Sequence, residues 1–191
     1  MNDANDIKLI KQVKSGDVGV YAQIINKYQH MAFTLASSIV KNKQDAEEVT
    51  QDAFYKAYKA LGNYKGDAVF STWLYRIIYN TAVSKIRGCK TDTSDLDHPE
   101  VDKQELVNFG ENLNRLEQQE RKKILKEALS RLKEDDAFII LLYYYQEKSI
   151  EEIEQVTGLS KSNVKIKLHR GRKQLQLELK GLLRDELTSF I

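Results

Sequence analysis

The stretch SIEEIEQVTGLSKSNVKIKLHRGRKQL, Ser149 to Leu175, decides the fold of the C-terminal part of the chain. Ile150, Ile153 and Val156 recur at helical spacing, Gly158-Leu159-Ser160 interrupts them, and Val164, Leu168 and Leu175 resume the period. Two helices, Ile150 to Thr157 and Lys161 to about Leu179 or beyond, joined by a glycine turn and a serine cap, make a helix-turn-helix. The first helix carries Glu151, Glu152 and Glu154, whereas Lys161 to Lys173 holds six Lys/Arg, His169 and no acid. A basic second helix suits the DNA major groove. The side chains pointing away from its apolar line are Lys165, Ile166, His169 and Arg170. Lys165, His169 and Arg170 are suited to donate to base edges, and Ile166 to touch a thymine methyl. Lys161, Lys167, Arg172 and Lys173 are suited to phosphates, which position a domain without reading sequence. A charge run alone is an ordinary solvated face; the turn, the cap and the apolar spacing raise this one above that reading.

Working outward, RLKEDDAFIILLYYYQEK continues a charged helix that starts near Leu113, and its run Tyr143-Tyr144-Tyr145 is expected to place one ring in the core and another toward a partner. Farther upstream, the only proline, Pro99, sits in TDTSDLDHPEVDKQELVNFGEN, which has few large apolar residues and no sustained period. That composition reads as a flexible linker. Strand signals are weak throughout, because β-branched residues fall inside helical patterns. The expected architecture is all-α: two small helical domains, 1–89 and 113–191, joined by an acidic linker, 90–112.

Charge supports this division. Residues 1–89 hold 12 Lys/Arg against 8 Asp/Glu, residues 90–120 hold 3 against 9, and residues 121–191 hold 15 against 11, beneath a net charge of only +2. Two basic blocks around an acidic middle suggest two polyanion-facing domains and a linker kept off nucleic acid by its own charge. No segment reaches the roughly 18 apolar residues of a membrane span, and MNDANDIKLIKQVKSGD lacks the apolar stretch of a signal peptide. A cytoplasmic protein without membrane insertion is expected. Cys89 is a single cysteine and reads as an ordinary thiol, and His30, His98 and His169 lack metal-ligand spacing. No metal, cofactor or catalytic residue is expected.

In the first domain, a short helix from Ile7 to Lys14 ends at Ser15-Gly16-Asp17, and a longer one runs from about Val18 to Val40. Asp45 is placed to cap the next helix, Ala46 to about Leu61, with Glu48 completing a capping-box-like pair. After a glycine-bearing loop, Ser71 is placed to cap a helix from Thr72 to about Arg87. On that helix Leu74, Ile77, Ile78, Ala82 and Ile86 form an apolar side, while Trp73, Arg76, Asn80, Ser84 and Arg87 form a polar stripe. An indole, an amide and two guanidinium groups on one line suit stacking on bases and contact with the phosphates of single-stranded DNA. The competing reading makes Trp73 a core residue. The loop before it, with Tyr64, Lys65, Asp67 and Phe70, suits a pocket for a base turned out of its stack.

DAEEVTQDAFYKAYKAL, FSTWLYRIIYNTAVSKIR and VTGLSKSNVKIKLHRGRKQL, in this order and spacing, resemble the extracytoplasmic-function group of the sigma-70 family. The resemblance covers nearly the whole chain and rests on two independent motifs. It implies that the helix containing Asp45, Glu48, Gln51 and Asp52 docks on the clamp helices of core RNA polymerase. It implies further that Tyr64 to Arg87 holds the unpaired minus-10 strand, and that the C-terminal domain reads minus-35 duplex and rests on the polymerase flap. An anti-sigma factor is an implied partner, and an acidic linker threading the core an implied path. Ile166 stands where the family commonly has a small polar residue, and His169 also departs, so no promoter sequence transfers. Two other classes compete. A free-standing helix-turn-helix regulator leaves the Trp73 stripe without a purpose. A helical enzyme lacks any phosphate loop, paired-histidine motif or nucleophile constellation.

Overall fold

The computed structural model describes residues 3–88 and 118–189. The expected linker, residues 90–112, and Cys89 lie outside the described residues. Eight α-helices organise the rest: α1 Asp3–Lys14, α2 Tyr21–Val40, α3 Lys43–Ala60, α4 Phe70–Arg87, α5 Gln118–Ser130, α6 Glu134–Ile140, α7 Ile150–Thr157 and α8 Lys161–Ser189. Among the described residues there is no strand, as the sequence predicts. Short 3-10 turns at Val18–Val20 and Leu61–Asn63 lead into α2 and out of α3.

Among the described residues the expected helices form with two exceptions in their caps and one in continuity: the charged helix expected from near Leu113 through RLKEDDAFIILLYYYQEK is divided at 131–133 into α5 and α6, and residues 113–117 lie outside the described residues. Asn42, extended at φ −125° and ψ 133°, caps α3 by accepting from the Asp45 backbone N–H at 3.1 Å. Asp45 therefore sits inside the first turn, where its charge suits the helix dipole, and Glu48 closes no capping box. Ser71 is buried inside α4, which begins at Phe70 behind Val69 without a side-chain cap. The capping serine at the start of α7 is where the pattern puts it: Ser149 Oγ accepts from the Glu152 N–H at 3.1 Å, and the Glu152 carboxylate accepts from the Ser149 N–H at 3.0 Å.

α2, α3 and α4 pack mutually around Ile24, Tyr28, Leu35, Ala53, Leu74 and Ile78, all at most 1% exposed. α1 is tied on through Asp6, which is 2% exposed and accepts from the Tyr28 hydroxyl at 2.6 Å and from Lys27 Nζ at 2.5 Å. Burying a carboxylate is tolerable only with such donors. Asp6→Ala leaves the buried hydroxyl without this acceptor and is expected to cost about 2 kcal/mol, read as a lowered urea midpoint with unchanged m-value.

In the C-terminal half, α6 lies against α8, and the approach is close. A Cβ on Gly171 would meet Ile140 Cγ1 at 3.1 Å and Asp136 Cβ at 3.3 Å, so a larger residue here would push α6 and α8 apart by a few tenths of an ångström or shift these side chains. After α6 the backbone widens into a π turn, Leu141–Tyr145, in which the Gln146 N–H reaches back to the Leu141 carbonyl at 3.1 Å. Leu141 and Leu142 point inward. Tyr143, Tyr144 and Tyr145 are 39%, 54% and 68% exposed, so none is the core ring the sequence led one to expect. A satellite cluster of Ile124, Ala128, Leu179 and Leu183 joins α5 to the far part of α8.

The two halves share one core. Leu132, Phe138, Leu142, Ile153 and Val164 belong to the same buried cluster as Tyr28, Tyr75 and Ile78, with α7 packed on α4 and α6 on α2. The sequence left the arrangement of the halves open; here they are closed on one another.

Candidate nucleic-acid interface

The helix-turn-helix is built as its sequence predicts. α7 ends at Gly158, left-handed at φ 73°, whose N–H donates to the Glu154 carbonyl at 2.8 Å. Glycine meets that conformation without steric cost. Ser160 Oγ then accepts from the Asn163 N–H at 3.3 Å, and α8 departs at a new angle. Ile153, Val156, Val164 and Leu168 are buried at the crossing, with Ile150, Leu159 and Leu175 packed around them. Lys161 Nζ lies 3.0 Å from the Glu151 carboxylate across the turn. That hydrogen bond holds Glu151 below the usual carboxylate range and Lys161 above the usual lysine range.

Lys165, Ile166, His169 and Arg172 are exposed along one face of α8, Ile166 at 59%. This face is open for a groove. Two residues expected there turn elsewhere. Arg170 makes a two-pronged ion pair with Asp136 of α6, at 2.7 Å from Nε and 2.9 Å from Nη2, and Asp136 is 2% exposed. Lys167 pairs with Asp135 of the same helix at 3.0 Å. The basic run thus divides into an outward set and a set that fastens α8 to the acidic start of α6. Arg172 donates to the Leu168 carbonyl at 3.3 Å and to the Tyr144 hydroxyl at 3.4 Å, and Lys173 is half-buried.

The N-terminal half presents the second candidate surface. Arg76, Asn80, Ser84 and Arg87 are exposed along α4, as the helical wheel predicts. Trp73 is half-buried at the head of this stripe, with its ring centroid 5.2 Å from Tyr64 and 5.5 Å from Phe70. Phe70, expected in the loop's pocket, is instead 1% exposed and forms its floor. A cavity of about 460 Å³ lies beside the loop, lined by Tyr64, Lys65, Gly66, Asp67 and Phe70. It is closed from the other side by Lys11 and Lys14 of α1, which sequence reasoning did not connect to the loop. Lys14 Nζ donates to the Tyr64 carbonyl at 2.6 Å, fixing the loop to α1. Two lysines in the last turns of a short amphipathic helix were the available signal, but their meeting with a loop fifty residues away is tertiary. The Tyr64 hydroxyl donates to the Ala68 carbonyl at 2.7 Å and closes the loop on itself.

Of the four residues expected on the docking helix, Glu48 and Asp45 pair with Lys85 of α4, at 2.8 and 3.4 Å. Both carboxylates, Glu48 first, hold Lys85 above the usual lysine range. They brace α3 against α4. Gln51 and Asp52 are exposed farther along. Gln51 borders an apolar groove of about 500 Å³ lined by Val18, Tyr21, Ile25, Phe54, Tyr55 and Tyr58, which the sequence reading did not foresee. Tyr55 is 61% exposed at its rim. Among the described residues no cluster of His, Cys, Asp and Glu is placed to hold a metal ion, and no helix is long and apolar enough to cross a membrane.

The family profile for Sigma-70 region 2 matches residues 24–90, and that for Sigma-70, region 4 matches residues 122–175. The RNA polymerase sigma-H factor of Pseudomonas aeruginosa is 31% identical over 194 residues, spanning 97% of this chain and 99% of its own. The ECF RNA polymerase sigma-E factor of Escherichia coli K12 is 31% identical over 185 residues, spanning 94% and 96%. Among solved structures, the sigma factor RpoE of Bartonella quintana, crystallised with the anti-sigma factor NepR, superposes with a TM-score of 0.61 at 22% identity, over 84% of this chain and 96% of that one. CnrH, in complex with the cytosolic domain of CnrY, superposes with a TM-score of 0.55 at 23% identity, over 91% and 96%. At these identities the two structures speak for the fold.

Proposed function

Because this chain belongs to the extracytoplasmic-function group of the sigma-70 family, whose members direct RNA polymerase to promoters, we propose that its two halves divide the reading of one promoter. Residues 113–191 read minus-35 duplex through the exposed face of α8, and residues 1–89 hold the unpaired minus-10 strand along α4. Residues 90–112 link them. The observation that carries this reading is the pair of separate, outward, cationic surfaces: Lys161, Lys165 and Arg172 beside His169 on α8, and Arg76 and Arg87 flanking Asn80 on α4. A duplex groove accepts a helix, whereas unpaired bases need rings to stack on, and Trp73 with Tyr64 supplies these at the head of the α4 stripe.

Core polymerase is engaged through α3. Gln51, Asp52 and the rim of the apolar groove take the larger share, since Asp45 and Glu48 already serve Lys85. The protein performs no chemistry of its own: binding energy for single-stranded DNA shifts the population toward the melted state. It acts in the cytoplasm, where core polymerase and promoter DNA are. A protein inhibitor fits the same surfaces, as an anti-sigma factor is bound by RpoE of Bartonella quintana.

The test adds purified protein to bacterial core polymerase on a library of promoter templates and sequences the start-specific transcripts. Promoter-dependent initiation is expected; absence of both core binding and initiation overturns the reading. On α8, Lys165→Ala is expected to relax sequence preference in the minus-35 element at a cost of about 1–3 kcal/mol against the preferred duplex. Arg172→Ala is expected to weaken all duplexes alike and to lower the salt slope of binding by about 1. A fluorescence anisotropy titration at several salt concentrations separates the two outcomes.

A further inference from the structure

The cavity beside the loop has a wall that the division of promoter reading does not use. Ile7, Ile10, Lys11 and Lys14 line it from α1. Spacings of three, four and seven residues put these side chains on one helical face, so a whole stripe of α1 faces the loop. At a rise of about 1.5 Å per residue, Ile7 and Lys14 stand about 10 Å apart along the axis. The stripe begins apolar and ends cationic. Ile7 is 48% exposed, a large apolar side chain that packing within the protein leaves uncovered. At the other end, Lys65 of the loop joins Lys11 and Lys14, so the lining holds three lysines against one acid, Asp67.

α1 is fixed to the cavity at two points. Asp6 accepts from the Tyr28 hydroxyl at 2.6 Å, and the Tyr28 ring stands edge-on to Phe70, the cavity floor, with centroids 5.7 Å apart. Farther along, Lys14 Nζ donates to the Tyr64 carbonyl and lies 5.9 Å from the centroid of the Tyr64 ring. Lysines in the last turn of a helix commonly do no more than offset its dipole. In α1 the carbonyls of Lys11, Gln12 and Val13 already accept from the N–H groups of Ser15, Asp17 and Gly16 at 3.0–3.1 Å. Those carbonyls turn to their own chain, and Lys14 reaches across to the loop. Lys11 is exposed one turn before it on the same face.

Size and position then indicate the occupant. At about 460 Å³ the cavity falls within the range of about 300–1,000 Å³ typical of sites that enclose a whole small molecule, more room than a base ring alone requires. Trp73, at the head of the α4 stripe, touches both Tyr64 and Phe70 of the cavity. A strand that follows Arg87, Asn80 and Arg76 to Trp73 therefore arrives at its mouth. An apolar and aromatic end suits a base ring, and a cationic end suits a phosphate. We propose that α1 is the third wall of the minus-10 site: the extruded base lies between Ile7 and the rings of Tyr64 and Phe70, Lys11 donates to a backbone phosphate of that same nucleotide, and Lys14 holds the loop in place. The site thus takes a nucleotide and not a base alone. This inference rests on the promoter reading proposed above.

The test uses holoenzyme assembled from the full chain and core polymerase, with forked DNA from a promoter selected in the transcription experiment, its minus-10 non-template strand unpaired. Abasic sites placed one at a time along that strand locate the extruded base, and methylphosphonates placed one at a time remove single phosphate charges. Affinity is read by fluorescence anisotropy. Lys11→Ala is expected to weaken binding about ten-fold and to lower the salt slope by about 0.7. Lys8→Ala makes the same charge change at an exposed position of α1 outside the cavity lining, and is expected to stay within about two-fold of wild type. A methylphosphonate beside the nucleotide whose abasic replacement costs most should weaken the wild type about ten-fold and the Lys11→Ala protein hardly at all. Losses that simply add at every phosphate, or a Lys8→Ala loss equal to that of Lys11→Ala, overturn the α1 wall while a preference for forked over fully paired DNA upholds the promoter reading. A wild-type protein that binds forked DNA no tighter than the duplex overturns both.

Discussion

Arg170→Ala is expected to lower the stability of the whole chain by about 2–3 kcal/mol before any DNA is added. Its guanidinium grips Asp136 at 2.7 and 2.9 Å, and the Asp136 side chain is 3% exposed. Removing one member of a buried ion pair leaves the other desolvated, which costs about 3–5 kcal/mol when both are buried. The Arg170 side chain is 39% exposed, so solvent screens part of that loss and the lower figure applies. The midpoint of thermal unfolding should fall by roughly 5–10 °C for a chain of this size. Arg170→Lys, which keeps the charge but not the two-pronged fork, should lie between. Arg170→Met combined with Asp136→Leu should recover most of the loss, because an apolar pair of similar volume replaces a buried ion pair at little cost. An Arg170→Ala protein with unchanged unfolding and selectively lost minus-35 affinity would return Arg170 to the base edges, where its helical position alone put it.

That residue marks the boundary between what the chain's local pattern discloses and what it does not. Helix positions, the turn at Gly158, the buried faces of α7 and α8 and the outward line Arg76–Asn80–Ser84–Arg87 depend on spacing within one helix. Periodicity carries such information directly. Arg170 lies on the same turn as His169, and no pattern within α8 separates an arginine aimed at DNA from one aimed at Asp136, 34 residues earlier. The acids that capture it, in Glu134-Asp135-Asp136, read as an ordinary acidic first turn. Caps fail for a different reason. Asn42 wins over Asp45 because the chain is extended at Asn42, a fact of backbone dihedrals that either residue type allows.

The closed arrangement was hidden more completely. Tyr75 and Tyr79 are aromatic residues beside an apolar stripe, a pattern equally suited to the core of one domain. Their partners Gln146 and Asp135 are 71 and 56 residues away, across a stretch with no helical period. Segment charges pointed to two basic bodies separated by an acidic one, and basic bodies repel. The structure answers that repulsion locally: the acids of α6 and α7 face the hydroxyls of α4 and the lysine of α8, so net charge by segment says little about contact by residue.

Trp73→Ala is expected to reduce the stability of the open promoter complex by about 10- to 100-fold while leaving minus-35 duplex affinity within about two-fold of wild type. Stacking of one base on an aromatic ring is worth about 1–3 kcal/mol, and at Trp73 the indole stands at the head of the Arg76–Asn80 line, beside the loop that closes on Tyr64. The competing reading, a purely structural tryptophan, predicts something else. Its ring packs on Phe70 and Tyr64, so truncation also removes part of a hydrophobic cluster. If that were its whole role, stability would fall and both DNA activities would fall together with the folded fraction. Two controls divide the cases. Trp73→Phe retains a ring and should keep most of the open-complex lifetime, whereas Asn80→Ala, exposed and clear of the cluster, should shorten it with the unfolding midpoint unchanged. Permanganate footprinting of unpaired thymines, measured beside duplex binding and thermal unfolding on the same preparations, supplies the three readouts. A loss in footprinting that the folded fraction accounts for, with Asn80→Ala silent, would make Trp73 a core residue and leave unpaired DNA to the cavity between α1 and the loop.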